Sequence, residues 1–241
     1  MMQRKYPQKP GIDFILKQAF FYWNKTLVFQ LMFSIFYFGV FLTVIFVADL
    51  KYNVINEYIE TSKYMKDGMA AYGSQYLKMV STENFQHFSL LLVGTTIFLY
   101  PLNLGFYQIY RKIDLKEKLE LRDLLVGYNG LNFLKYIGYY IFWFFIYRFT
   151  IPTVLLAVIW VAVTIFVAPL MFFTDKRIFE AISLNFKALR MYFTEIMVCI
   201  MVALLFKYLG FMLFIVGGLF TFPFWNAMIY SLYKTVFSEK G

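Results

Sequence analysis

Charged residues are scarce in this 241-residue chain: Asp, Glu, Lys and Arg make up 15% of it, where soluble domains carry about a quarter. Hydrophobic types reach 61%, aromatics 23%, and the mean hydropathy is +0.62. So little polar surface cannot cover a soluble globule, and intrinsic disorder is excluded by the same composition. There is one cysteine, Cys199, and one histidine, His87. No internal disulfide can form, and no Cys/His zinc site can be assembled. Acidic residues are missing from the middle of every apolar run: Asp49, Asp175 and Glu195 all stand at the ends. A hydrolytic site needs convergent acids, bases or metal ligands. Phosphate loops, nucleotide motifs and metal motifs are lacking too. The expectation is a non-enzymatic protein with no cofactor, no metal and no nucleic-acid partner.

What is present is long apolar runs. A membrane span takes about 20 such residues. Residues 27–48 and 88–110 each make one. Residues 136–174 are too long for one span and are divided by Arg148 and Pro152, which predicts a hairpin of 134–150 and 153–174. Residues 196–233 carry Lys207, Gly210 and the Gly217-Gly218 pair, which predicts a second hairpin turning within 208–218. The total is six spans. Lys and Arg then number 17 in one set of alternate segments and 6 in the other. By the positive-inside rule both termini, 111–135 and 175–192 are cytoplasmic, and the long segment 49–87 is an exterior loop. The first apolar run starts late and has no small-x-small site after it, so it reads as an uncleaved anchor. Lysine outnumbers arginine 17 to 6, which with frequent Tyr, Phe, Ile and Asn suits an AT-rich bacterial genome. The expected location is a bacterial inner membrane.

The fold expected is all-α: one membrane domain of three parallel repeats, each an interfacial amphipathic helix followed by a transmembrane hairpin. Repeat one is 12–110 with the loop 49–87, repeat two 119–174 and repeat three 176–237. The amphipathic segments are Ile12–Asn24, Leu119–Phe133 and Lys176–Tyr192, each mixing apolar residues at helical spacing with basic ones. Each even-numbered span has one proline expected to kink it: Pro101, Pro169 and Pro223. Asn103-x-x-x-Tyr107-x-x-Tyr110-Arg111 matches Asn226-x-x-x-Tyr230-x-x-Tyr233-Lys234 position for position, placing an Asn and two Tyr on one helix face.

Residues 119–237 carry a looser pattern. Leu121-Arg122-Asp123-Leu124-Leu125 precedes a hydrophobic hairpin, and Pro169 stands six residues before Asp175. Glu180-Ala181 lies in an amphipathic helix, and the last span holds Gly217, Pro223 and Ala227. This resembles an uncharacterised family of bacterial six-helix inner-membrane proteins, related to the membrane domain attached to some glycerophosphodiester phosphodiesterases. The resemblance covers about half the chain. It departs at Asn185, where the family often has serine. The phosphodiesterase barrel has no counterpart here, so its activity is not implied; an envelope-associated membrane protein is.

Candidate positions follow. Asn103 and Asn226 are costly in lipid unless hydrogen-bonded; with Tyr107 and Tyr230 they either tie helices together or line a polar pathway. Arg148 and Lys207 fall at the exterior ends of spans, where they snorkel or hold an anionic substrate. His87 reads as a boundary residue and Cys199 as an apolar filler. The leading function is a scaffold or accessory subunit of an envelope assembly. The alternatives are a small permease or substrate-binding transporter subunit, and a lipid-interacting or lipid-moving protein. The net charge of +9 favours anionic lipid at the cytoplasmic face; protein partners and a homo-oligomer stay open.

Overall fold

A computed structural model describes residues 11–237. The terminal residues 1–10 and 238–241, on which the expected orientation of both termini bears, lie outside the described residues. Among those described every regular element is helical. In a bilayer this is what backbone polarity demands, since a helix satisfies its own N–H and C=O groups. The helices are α1 (Ile12–Lys25), α2 (Leu27–Tyr52), α3 (Val54–Lys63), α4 (Met69–Val80), α5 (Glu83–Leu99), α6 (Leu102–Asp114), α7 (Asn132–Thr150), α8 (Val154–Thr164), α9 (Val167–Thr174), α10 (Ile178–Met191), α11 (Phe193–Leu213), α12 (Ile215–Thr221) and α13 (Phe224–Phe237). Among the described residues four stretches are long and apolar enough to cross a membrane: Leu27–Tyr52, Glu83–Asp114, Val154–Thr174 and Phe193–Met212. The other two expected spans differ. The tyrosine-rich α7 carries Lys135 and Arg148, and the last apolar run is cut into the short α12 and α13.

The chain divides into two compact units, one of Met1–Ser34 with Tyr100–Gly241 and one of Ile35–Leu99. In the smaller unit the segment 49–87, expected as the exterior connection between two spans, contains α3, a 3₁₀ turn at Tyr64–Asp67 and α4. Asp49 accepts the Ile55 N–H at 2.7 Å across the left-handed Asn53, which turns α2 directly into α3. Ala48, Val54 and Phe88 form a small apolar core there, and His87 stacks on Tyr52.

In the larger unit α1 and α10 occupy two of the three segments expected to be amphipathic helices. Each has 14 residues and buries its fourth, eighth and eleventh: Ile15, Ala19 and Tyr22, and Ala181, Asn185 and Ala188. The middle segment departs from expectation. Over Leu121–Tyr128 it is a 3₁₀ turn closed by reciprocal bonds between Glu120 and Asp123. It cannot be a free-standing amphipathic helix because it lies backbone-to-backbone on α6: a Cβ on Gly105 would fall 2.5 Å from the Leu124 carbonyl oxygen, and one on Gly127 would strike the Pro101 carbonyl.

The three prolines sit at or beside helix breaks. Pro101 separates α5 from α6 and Pro223 separates α12 from α13, while Pro169 is the third residue of α9. A proline has no N–H to give the carbonyl four residues back. For Pro223 that carbonyl belongs to Leu219, and the Ser34 hydroxyl donates to it at 2.6 Å. The α8–α9 break is held differently. The Phe166 N–H donates to Asn185 Oδ1 at 2.7 Å, and Asn185 Nδ2 donates to the Ala162 carbonyl at 2.9 Å. One amide is thus inserted into a helical 166→162 bond.

Candidate functional site

The polar side chains of the larger unit gather where α1, α6 and α13 meet. α6 and α13 each run from a proline-marked break through residues with no further proline, and each ends in basic residues that suit a helix C-terminus, Arg111 and Lys112 in α6 and Lys234 in α13. Both turn an almost wholly buried face to their neighbours. Asn226, 2% exposed, donates from Nδ2 to Asn103 Oδ1 at 3.0 Å, and Asn103 Nδ2 donates to the Tyr100 carbonyl at 3.0 Å. The two asparagines of the matching motifs therefore pair with each other.

Three turns further along α6, and one and two turns along α13, the same faces converge on Asp114. Its two carboxylate oxygens accept the Tyr22 hydroxyl and the Tyr230 hydroxyl, each at 2.7 Å. Lys234 forms an ion pair with it at 2.9 Å and donates to the Tyr22 oxygen at 3.2 Å. The rings of Tyr22, Tyr110 and Tyr230 form a triangle with centroids 5.1 to 5.4 Å apart. Gln30 Nε2 donates to the Tyr110 hydroxyl at 3.2 Å and to Thr26 Oγ1 at 2.9 Å. Burial, then the hydrogen bond and charge of Asp114, push the Tyr22 phenol well above its ordinary pKa, so Tyr22 stays a donor to the carboxylate. The arrangement ties three helices through one anion.

The other candidates are dispersed. Tyr107 packs its ring against Phe172 and Phe173. Arg148 is exposed at the end of α7. Lys207 is half-buried, its Nζ 4.5 Å from the centre of the Phe222 ring. Cys199 is buried within α11. At the surface, Lys135 pairs with Asp175, and its hydrogen bond and charge hold that carboxyl below the usual range. Lys176 does the same to Glu180 through a 2.5 Å bond. No group of three His, Cys, Asp or Glu that could hold a metal occurs among the described residues.

Two residues of consequence were not singled out by the sequence reading as participants. Asp114 stands four residues after Tyr110, hence on its helix face, so extending the Asn-Tyr-Tyr pattern by one turn finds it. Asn185 was noted only for replacing a serine; a buried amide at the eighth position of an amphipathic helix is the signal. Searches of family profiles, curated proteins and solved structures find no match to this chain.

Proposed function

We propose that this chain is a non-enzymatic multi-pass protein of a bacterial inner membrane that serves as a scaffold or accessory subunit of an envelope assembly. The observation that carries the reading is the Asn226–Asn103 amide pair: the two side chains best suited to line a polar pathway spend their hydrogen bonds on each other and on backbone. The six-span, threefold architecture is part of the proposal. The like lengths and burial registers of α1 and α10 support it. So do their joints to the following apolar helices, where Thr26 has φ −117° and ψ 21° and Tyr192 has φ −125° and ψ 35°. The resemblance of 119–237 to six-helix inner-membrane proteins points the same way. On the cytoplasmic face α1 and α10 present Phe21 and Phe186 with Lys25 and Arg190 folded over their rings, a surface suited to anionic headgroups.

The test pairs melting in detergent with complementation of a deletion strain. Asn103→Leu and Asn226→Leu are expected to lower stability modestly, since intramembrane hydrogen bonds average ~0.6 kcal/mol, and to leave complementation intact. Lost complementation at unchanged melting would falsify the scaffold reading and assign a permease. Orientation is checked separately, with Cys199→Ala as background. A cysteine at Lys66 is expected to react with an impermeant thiol reagent in intact cells and one at Lys116 only after permeabilisation; the reverse pattern overturns the topology.

A further inference from the structure

Lys207 is an ionisable residue inside α11, one of the helices apolar enough to cross a membrane, and no further charged residue follows it until Lys234. Beyond it the α11–α12 turn is bare hydrocarbon, with Met212 83% and Phe214 75% exposed. Lys207 stands seven residues before Phe214 and Phe222 eight after it, so at 1.5 Å per residue both lie about 10 Å below the tip. Across the hairpin Thr221 packs directly on Gly210, where an added Cβ would strike its side chain, and this close approach keeps that register. The ammonium does not extend past the tip toward water, as a snorkelling lysine does. It is turned sideways onto the Phe222 ring.

A ring face attracts a cation but gives its three N–H donors no acceptor. Among the described residues no carboxylate pairs with this ammonium and no oxygen accepts from it. Around α11 Lys207 sits on a boundary, with buried Ala203 and Gly210 to one side and exposed Leu204 and Phe211 to the other. An anion can therefore arrive from the apolar flank, and acyl chains would lie along the exposed residues beside it.

We propose that Lys207 is the phosphate contact of a phospholipid held against the α11–α12 hairpin, within the leaflet that the hairpin tip enters. The proposal rests on reading that hairpin as membrane-embedded. Phe222 confines the ammonium from one side and the lipid phosphate supplies the missing acceptors. A carboxylate on a partner's transmembrane helix is the rival occupant; the exposed aliphatic flank favours a molecule with acyl chains.

The experiment is native mass spectrometry of the detergent-purified full chain titrated with dioleoylphosphatidylglycerol, with dioleoylglycerol and with inorganic phosphate. One phosphatidylglycerol molecule is expected to survive activation that strips the rest. Neither dioleoylglycerol nor inorganic phosphate should displace it. Lys207→Met is expected to weaken it about tenfold or more, Lys207→Arg to retain it, and a Lys187→Met/Arg190→Met variant of the basic α10 surface to leave it unchanged. Should Lys207→Met fail to fold, Lys207→Gln takes its place. Unchanged retention in the neutral variant, or full competition by inorganic phosphate, overturns the proposal. So does loss of a co-purifying membrane protein with the lipid unaffected. The asparagine variants test the scaffold reading independently, so either idea can fall alone.

Discussion

Gly105→Ala is expected to destabilise the protein by about 3 kcal/mol or more, the upper end of what an overpacked site costs. Helix propensity alone predicts the opposite sign, because alanine is better than glycine in a helix by about 1 kcal/mol. The difference is where the methyl goes. It meets the Leu124 backbone, and a main chain held by the Glu120–Asp123 capping bonds cannot swing aside as a side chain can. Gly138→Ala is the internal comparison, since nothing lies within 4 Å of its added Cβ; it is expected to be neutral or stabilising by up to ~1 kcal/mol. Melting of the two variants in the same detergent decides. Equal midpoints would mean that α6 and the 3₁₀ turn do not touch as described.

Asp114→Ala is the second large effect. It strands two phenol hydroxyls and the Lys234 ammonium. Loss of one partner from a fully buried ion pair costs 3–5 kcal/mol; with Asp114 a quarter and Lys234 about a third exposed, solvent screening lowers the expectation to about 2 kcal/mol. Asp114→Asn keeps an acceptor and is expected to cost roughly half as much. Adding Lys234→Met to Asp114→Ala should recover part of the loss, because the stranded cation goes too. Since Tyr22 is the α1 contact, limited proteolysis should show α1 loosened before the rest. An Asp114→Ala protein with wild-type melting and wild-type proteolysis would remove the carboxylate from its place as the joint of three helices.

Much of this was legible from residue order. The apolar runs locate the long helices, the basic amphipathic segments at 12–24 and 176–192 become α1 and α10, and the prolines mark the breaks. The matching Asn-Tyr-Tyr motifs identify two faces, though not that they face each other, which is a tertiary fact with 123 residues between partners. The middle amphipathic segment was misread because Gly105 and Gly127 are silent in a periodicity count: their meaning is the distance to another backbone. Segment 49–87 is expected on its charge only to connect two spans on the exterior side; that it folds into helices of its own is a further fact, signalled by Val54, Tyr58 and Thr61 at helical spacing. Asp114 was overlooked because an acid at a helix C-terminus runs against the dipole and invites dismissal as surface; three donors compensate it.

The Asn103–Asn226 bond also fixes an order of events during synthesis. At roughly 5–20 residues per second, the 123 residues between them take about 6 to 25 seconds to emerge. Through that interval the segment carrying Asn103 has left the ribosome and its eventual partner does not exist. The bond from Asn103 Nδ2 to the Tyr100 carbonyl, three residues away, needs nothing made later, so half of the amide can be occupied in the nascent chain. Its Oδ1 has no such local outlet and waits for α13. A chain stopped before residue 226 would leave that acceptor without the partner it has in the folded protein.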